Sequence, residues 1–573
     1  MSITVREHHR LYKFTILGRL EQSGEQQELL AQLTTLPVGE AETSVELDFY
    51  DADTLPREVI EALARLLARG TRVKIVAYHA LLSHSLIRLG LPVSQASRQP
   101  LRVPLGQCKV LALAGSAQSL DKIMHIVGHL PEGDVTVFVA QHVQEDQVNL
   151  LDKLLKLCTN YRVLMPHHLI PIKPGTVYVA PPGHHMKVAH GLIYLTRDRK
   201  IQFARPSIDV LFESVAREYG AQSLVALLCG YGQDGVAGCA ALEAAGACVL
   251  IENGDECAPA RVLPDNAGNA SAFKQVLKYP AITSIAAAAV AGANAAPIGN
   301  LLELFLDAIK SQYGHDFRGY QRGSLERRIR NLSSDFNLGN FADFQLAVLT
   351  EPALFQRLLA EISVSVTGFF RHPEQFRLLR EKIMPYLTSF PLIKIWSAGC
   401  ATGEEVYSLA IMLDELGILE KSRIFATDIN PYLLELAKAG LFPVENLALN
   451  REHYLAGGGL RHFDAQVPVV GHFLKADNRL RERILFYQHS LAHDGIFNEF
   501  QLILCRNVLI YFDTDLQKRV LGLFAKSLHH DGFLVLGPKD GLQHLVLSQG
   551  FTMYGQNSHI YRQMSEQAVN VHQ

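Results

Sequence analysis

The sequence predicts a multidomain α/β protein, and three observations carry that prediction. At 573 residues the chain is too long for one core, because domains typically hold roughly 100 to 200 residues. Short apolar runs alternate with amphipathic helical patterns along most of its length, as strands crossed by helices do. Two of those runs lead into glycine-containing turns that open a helix, LLCGYGQDGVAG and IKIWSAGCATGEE. In parallel sheets such strand ends are where ligands and reacting groups gather.

Composition narrows the class further. Hydrophobic residues make up 48% and charged residues 19%, with a formal net charge of -3, so a soluble globular chain is expected and a basic nucleic-acid surface is not. The eight cysteines, at 108, 158, 229, 239, 248, 257, 400 and 505, contain no CxxC pair and no Cys/His ligand cluster. Neither a metal site nor a disulfide framework is therefore expected, and reduced thiols fit a cytoplasmic protein. The opening MSITVREHHRLYKF is charged and lacks an apolar signal core. AITSIAAAAVAGANAAP, from Ala281 to Pro297, is the one stretch resembling a membrane span. It is mostly alanine and is broken by Gly292, Asn294 and Pro297, so a linker over 286–297 is expected and membrane insertion is not.

Taken in order, residues 1–100 give SVELDFYD, the helical REVIEALARLLARG and the strand-like RVKIVAY, a small α/β domain ending at the polar VSQASRQPLR. Thr54, the hydroxyl in DADTLPREV, reads as a helix-entry residue. Residues 105–285 alternate strands and helices as a doubly wound parallel sheet does. Residues 298–385 read as helical, and 386–573 return to an α/β pattern with a strand, glycine turn and helix at 393–413.

Within 105–285, Ser116, His142 and Asp234 each follow an apolar strand candidate: VLALAG, VTVFVAQ and LVALLCGYGQ. A hydroxyl, an imidazole and a carboxylate on one sheet edge can serve as nucleophile, general base and orienting acid. Singly, each has a structural explanation: Ser116 as a helix cap, His142 as a core histidine, Asp234 as a loop acid. Gly230, Gly232 and Gly235 also fit dinucleotide-binding spacing, a dehydrogenase reading that leaves Asp234 without a role. In the last region, Gly399 and Gly403 let backbone approach a ligand, Glu404 and Glu405 place acid there, and Asp428 follows 20 to 30 residues on, the position of a ribose-binding acid. Acids at that turn disfavour a pyrophosphate and suit a cationic ligand such as S-adenosylmethionine.

Specific stretches add family resemblances. VLALAGSAQS, FVAQHV, YVAPPGHHMKV, RPSIDVLFESVAREYG and GYGQDGVAG resemble the catalytic domain of the chemotaxis protein-glutamate methylesterase, CheB. That resemblance implies Ser116, His142 and Asp234 as its triad. Ala117, Gln118 and Ser119 stand where the family has Thr-Gly-Gly or Ala-Gly-Gly, and Tyr231 where it has methionine. WSAGCATGEEVYSLA, FATDINPYLLELAKAGLF and FQLILCRNVLIYFD resemble the glutamate methyltransferase CheR over about 301–562. This second resemblance implies a small helical domain followed by a Rossmann-like domain binding S-adenosylmethionine. Thr367, Arg371, Gly399, Gly403, Glu405, Asp428, Ser490, Leu491, Arg506 and Asn507 would surround the cofactor, and Arg371 and Tyr511 would orient the substrate carboxylate. FFRH replaces the family's FFRE, and Ser490 in QHSL stands at an Asn position. The segment around 452–487 resembles a small receptor-docking β-subdomain; in the preceding helical domain, Arg322, Arg327, Arg328 and Arg330 are either a basic face for an acidic receptor helix or a solvated helical face.

VELDFYDAD and RGTRVKIV resemble a STAS domain, which implies a regulatory module docking a protein partner. Together these resemblances imply a bifunctional chemotaxis adaptation enzyme acting on methyl-accepting receptors. The alternative is a signalling scaffold that keeps both folds with silent sites.

Overall fold

The computed structural model describes residues 2–563 except 9–10, 18–22, 37–43, 50–54, 78–81, 83–85, 88, 90, 96–103, 144–149, 258–259, 271–274, 293–298, 336–337, 339, 364–366, 472 and 557. Thr54, most of the VSQASRQPLR cut and the end of the alanine-rich stretch lie outside the described residues. Two compact units emerge, residues 1–98, 319–324 and 356–573 in one and residues 99–318 and 325–355 in the other.

The N-terminal part of the first unit is a five-stranded sheet of β1 (Ser2–His8), β2 (Leu11–Leu17), β3 (Ser44–Phe49), β4 (Arg72–Ala77) and β5 (Val93–Gln95), in that order. β1 and β2 pair antiparallel and the others parallel. Helix Arg57–Ala68 turns Val59, Ile60, Leu63 and Leu66 inward at helical spacing. The core of this part continues into Leu441 and Phe473.

The second unit carries β6 (Val110–Gly115), β7 (Thr136–Gln141), β8 (Arg162–Leu164), β9 (Ile170–Pro171), β10 (Thr176–Val179), β11 (His185–Ala189), β12 (Leu192–Thr196), β13 (Ser223–Leu227), β14 (Cys248–Glu252) and β15 (Val276–Leu277). Seven of these form a sheet in the order β15-β14-β13-β6-β7-β10-β8. β6, β7, β10, β13 and β14 are buried at every residue, which is why they read as unbroken apolar runs. From β6 the chain moves outward to β7 and later returns to β13 on the other side, so the crevice between β6 and β13 is a topological switch point.

One expectation is overturned in this unit. Residues read as part of a linker lie in helix Tyr279–Ala291, and Ala281 to Val290 are all buried. Each methyl removed from water contributes about 0.8 kcal/mol. Alanine-rich helices are weakly hydrophobic per residue yet pack closely against neighbours, here Asn300–Tyr313 and Phe341–Thr350. Ser284 donates to Gln345 Oε1 at 2.9 Å inside this packing. Gly292 (φ +87) ends the helix.

The C-terminal part of the first unit contains β16 (Ile393–Ala398), β17 (Ser422–Asp428), β18 (Leu441–Pro443), β19 (Val469–Val470), β20 (Phe473–Lys475), β21 (Ile484–Gln488), β22 (Phe500–Cys505), β23 (Leu528–Leu536), β24 (Phe551–Met553) and β25 (Ile560–Gln563). Its large sheet runs β21-β17-β16-β22-β23-β25-β24, with β25 antiparallel to both neighbours. This is a Rossmann-like sheet whose first strand, β16, lies inside it between β17 and β22. Trp396 is fully buried in β16, and its indole N–H donates to Thr427 Oγ1 at 2.8 Å. β18, β20 and β19 form the small antiparallel sheet expected beside it. No described helix is long and apolar enough to cross a membrane.

Candidate active sites

Ser116 leaves β6, His142 leaves the adjacent β7, and Asp234 lies in the turn after β13 on the other side of β6. Parallel strands put all three at the same sheet edge. The His142 and Asp234 pairing is made: Nε2 lies 2.7 Å from Asp234 Oδ2. Asp234 is held at the start of helix Ile208–Tyr219, accepting from Ser207 Oγ (2.6 Å), Ile208 N (2.7 Å) and Asp209 N (3.0 Å). Burial raises its carboxyl, but hydrogen bonds from His142 and Ser207 and from the helix amides outweigh that, leaving it below its ordinary value. It is thus an ionised acceptor that fixes the imidazole.

The third link is not made in this conformation. The Ser116 hydroxyl donates to Gln118 Oε1 at 2.5 Å, and among the described residues no hydrogen bond joins Ser116 to His142. With Nε2 committed to Asp234, Nδ1 of His142 is the nitrogen left for the serine proton. The serine backbone is firmly placed, its N–H donating to the Cys229 carbonyl (2.9 Å) and its carbonyl accepting from Ser119 N (3.0 Å). Gly230 lies against it, since a Cβ there would approach Ser116 Cβ to 3.4 Å and Leu263 Cδ2 to 2.6 Å. The opening glycine of GYGQDG is therefore spent on close packing beneath Ser116. Tyr231 is exposed.

Sequence reasoning missed Asp209. Its carboxyl accepts from Gly235 N (2.9 Å) and Gly238 N (2.7 Å), tying the Asp234 loop down. Burial, with Asp234 nearby, pushes it up to about 6. The spacing Ser207, Asp209 at a helix start, as in RPSID, is the signal that could have marked it.

The second candidate site lies at the ends of β16, β17 and β22. Gly399 (φ +74) follows β16, where a Cβ would stand 2.5 Å from Val508 Cγ2. One cavity of about 280 Å³ is lined by Thr367, Arg371, Gly399, Glu405, Arg506, Asn507 and Tyr511, together with Cys400, Ala401 and Lys539. An adjoining pocket shares Gly399, Asn507, Val508 and Tyr511 and adds Tyr320, Ile362, Asp428, His489, Leu491 and Phe512. Of the expected cofactor residues, Gly403 and Ser490 line neither. Gly403 precedes helix Glu404–Glu415, and Ser490 is held by its N–H to Asp494 Oδ2 at 2.7 Å, its hydroxyl buried with no hydrogen-bond partner among the described residues. Glu404 turns away to accept from Thr402 Oγ1 at 2.7 Å, so Glu405 alone brings the turn's acid to the cavity.

Glu405 accepts from Ser397 Oγ (3.0 Å) and Arg506 Nη1 (2.9 Å). Burial lowers the Arg506 guanidinium from its ordinary value, while Glu405 opposes the shift. Arg506 is further fixed by Gln375 Oε1 (3.0 Å) and the Arg371 carbonyl. Asp428 accepts from Ala401 N and Asn430 N at 2.9 Å each, and burial raises its carboxyl. Asn507 has φ +60, a strained setting for a non-glycine residue. Asp540 supports it, accepting from Asn507 N (3.2 Å) and Gly537 N (2.6 Å). Tyr320, His489, Asp540 and Lys539 were missed because they come from loops whose convergence no local pattern announces. His372, the FFRH departure, is kept neutral, burial and then Arg506 and Arg371 pushing it down to about 4.

Comparison with known proteins follows this geometry. The CheR methyltransferase SAM binding domain matches residues 365–557, the CheR all-alpha domain 300–363 and the CheB methylesterase 111–285. A Pseudomonas putida protein that bears the name Cher3 is 42% identical over 261 residues, covering 46% of this chain and 96% of that protein. The chain belongs to the CheR methyltransferase family. It joins to that family's domains a CheB methylesterase domain in the same polypeptide. Chemotaxis protein methyltransferase 2 of Pseudomonas aeruginosa is 34% identical over 242 residues, covering 40% of this chain and 82% of that protein. Among solved structures, the Thermotoga maritima CheB methylesterase catalytic domain is 22% identical with a TM-score of 0.29, covering 31% of this chain and 97% of that one. The CheR domain makes S-adenosylmethionine the cofactor.

Proposed function

We propose that this chain both installs and removes methyl esters on receptor glutamates. Residues 105–285 would hydrolyse the ester and residues 298–573 would form it from S-adenosylmethionine, with residues 1–100 as a STAS-like partner-docking module. The observation that carries the reading is the pairing, in one chain, of a His142–Asp234 dyad beside Ser116 with two adjoining pockets, one presenting Glu405 and Arg506 and the other Asp428.

For hydrolysis, Ser116 Oγ leaves Gln118, gives its proton to His142 Nδ1 and attacks the ester carbonyl. Methanol departs with that proton, and water then releases the glutamate by the same path. Asp234 stays ionised throughout and stabilises the imidazolium.

For methyl transfer, the residues fit the cofactor. Asp428 suits a ribose diol, Glu405 with Arg506 suits an amino-acid zwitterion, and Ile362, Leu491 and Phe512 give an apolar wall. The cofactor supplies a methyl group already activated on sulfonium. Arg371 and Tyr511 then only need to hold the acceptor carboxylate in line, since positioning can supply most of the acceleration. The substrates are the cytoplasmic segments of chemotaxis receptors, the class implied by the relatives' names. Calorimetric titration with S-adenosylmethionine and covalent labelling of Ser116 by a fluorophosphonate test the two halves. Saturable binding and labelling are expected; absence of both returns the chain to a scaffold with silent sites.

A further inference from the structure

Behind Ser116, at the far side of Cys229, lies a buried cluster that the hydrolytic reaction does not use. Cys229 Sγ, Cys257 Sγ and a Glu252 carboxylate oxygen all lie within 4.8 Å of one another. Lys122 reaches into the group, its Nζ 2.8 Å from Cys229 Sγ and 3.8 Å from Cys257 Sγ, and it pairs with Glu252. Cys229 Sγ is also 3.2 Å from Glu252 Oε2, which accepts from the Cys229 backbone N–H at 2.8 Å. Two sulfurs and a carboxylate could ligate a cation, but the Lys122 ammonium, paired with Glu252 and 2.8 Å from Cys229 Sγ, already stands among them.

The arrangement is that of a reactive thiol beside a second thiol. The Cys257 thiol and, against burial, the Lys122 ammonium hold Cys229 below its ordinary value, whereas its neighbour Cys229 and burial push Cys257 up. Burial raises the thiols of Cys108, Cys158, Cys239, Cys400 and Cys505 instead. Thiolate character concentrates at Cys229, and thiolates are what peroxides oxidise.

We propose that Cys229 and Cys257 are a peroxide-oxidisable pair whose disulfide closes the hydrolytic site. In the first step Cys229 sulfur attacks a peroxide oxygen, the O–O bond breaks, and with hydrogen peroxide the products are a Cys229 sulfenic acid and water. In the second, Cys257 sulfur attacks the sulfenic sulfur, the S–O bond breaks, and the hydroxyl leaves as a second water with the Cys257 proton. Two thiols lose two electrons and the peroxide gains them. Forming the bond draws the sulfurs to about 2.0 Å, and the Cys229 backbone must follow. Its carbonyl holds the Ser116 N–H (2.9 Å), and the next residue, Gly230, is bonded to Ala260 and Leu263 (2.8 and 2.9 Å) at the root of the Asp234 loop. The transferase cavity contains none of these residues, so oxidation leaves methylation running unopposed.

This inference rests on Ser116 being the esterase nucleophile, and the test separates the two. The full chain is treated with hydrogen peroxide, blocked with an alkylating agent and mapped by peptide mass, and in parallel Ser116 is labelled with a fluorophosphonate before and after dithiothreitol. A linked peptide pair containing Cys229 and Cys257, two hydrogen masses lighter than the free pair, with labelling mostly lost and then restored by reductant, is the expected result. In Cys257→Ser, peroxide should no longer cause a reductant-reversible loss through this pair. Both thiols still alkylatable after peroxide, or the disulfide formed with labelling unchanged, would overturn the proposal. If Ser116 fails to label in the reduced chain, the esterase reading falls, and with it the gating, while the linked peptide still decides the oxidation.

Discussion

The two candidate sites solve different chemical problems and are built differently. At the esterase edge, three residues from neighbouring strands must relay a proton, and their relations are set by a few short hydrogen bonds, His142 to Asp234 at 2.7 Å above all. In the transferase cavity no proton need move before attack. Lining residues arrive from at least five separate segments around Ile362, Arg371, Gly399, Asp428 and Asn507, and charge is arranged as a part-buried Glu405–Arg506 pair. One site depends on single groups and the other on a shared shape, so single substitutions should separate them sharply.

The largest difference is expected at the nucleophile. Ser116→Ala should lower methanol release from a methylated receptor fragment by about 10⁵-fold or more, the scale of removing a triad serine, with methyl transfer unchanged. A loss of only tenfold would place the nucleophile elsewhere. Asp234→Asn comes next, at about 10⁴-fold in kcat; the amide cannot stabilise the imidazolium, and with one oxygen left it can no longer accept from both Ile208 N and Asp209 N, which now donate to different carboxylate oxygens.

On the other side, Asp428→Asn should weaken S-adenosylmethionine binding by about 10- to 100-fold, the worth of one or two hydrogen bonds to a charged group, as read by calorimetry. An affinity unchanged by this substitution would detach Asp428 from the ribose. Gln118→Ala removes the acceptor that holds the Ser116 hydroxyl. It should speed fluorophosphonate labelling by about fivefold, one neutral hydrogen bond, and slower labelling would make Gln118 a helper.

The smallest effect is on pH. Burial pushes Asp540 up to about 6, and its carboxylate is what accepts from Asn507 N. As pH falls through about 6 the acceptor is protonated, so cofactor affinity should drop a few-fold between pH 7 and 5. Folding stability moves the other way. A carboxyl raised in the fold penalises the native state above its folded value, and that penalty is relieved as pH falls from about 6 toward the ordinary carboxylate value of 3.8. Asp234 is lowered, so its contribution is full above 3.8 and is lost only as pH falls below it. Denaturant midpoints for wild type and Asp540→Asn across pH 4 to 7 check this sign.

Legibility in the sequence follows the same division. Ser116 and His142 stand directly at strand ends and Asp234 in the turn after β13, and fully buried parallel strands announce themselves as apolar runs, so that sheet edge could be read from the sequence. The cofactor turn was legible for the same reason at Gly399, Glu405 and Asp428. What sequence could not carry was orientation. Adjacent Glu404 and Glu405 are alike as letters, yet a helix start turns one toward Thr402 and the other toward Arg506. Ser490 borrowed its role from an alignment position whose side chain here lines neither pocket. The alanine-rich stretch was misread because low hydrophobicity per residue suggested solvent, whereas Ala281 to Val290 are buried by close packing of small side chains. The Lys122 cluster joins residues 122, 229, 252 and 257 through tertiary contacts alone.

The central claim is that opposed activities share this chain at separate sites. Its most direct test incubates a receptor cytoplasmic fragment with methyl-labelled S-adenosylmethionine and either wild type or Ser116→Ala, following label on protein and label released as methanol. Incorporation by both proteins is expected, with methanol from wild type and near-absent methanol with greater accumulated label from Ser116→Ala. No incorporation by either protein, or equal methanol from both, would contradict it.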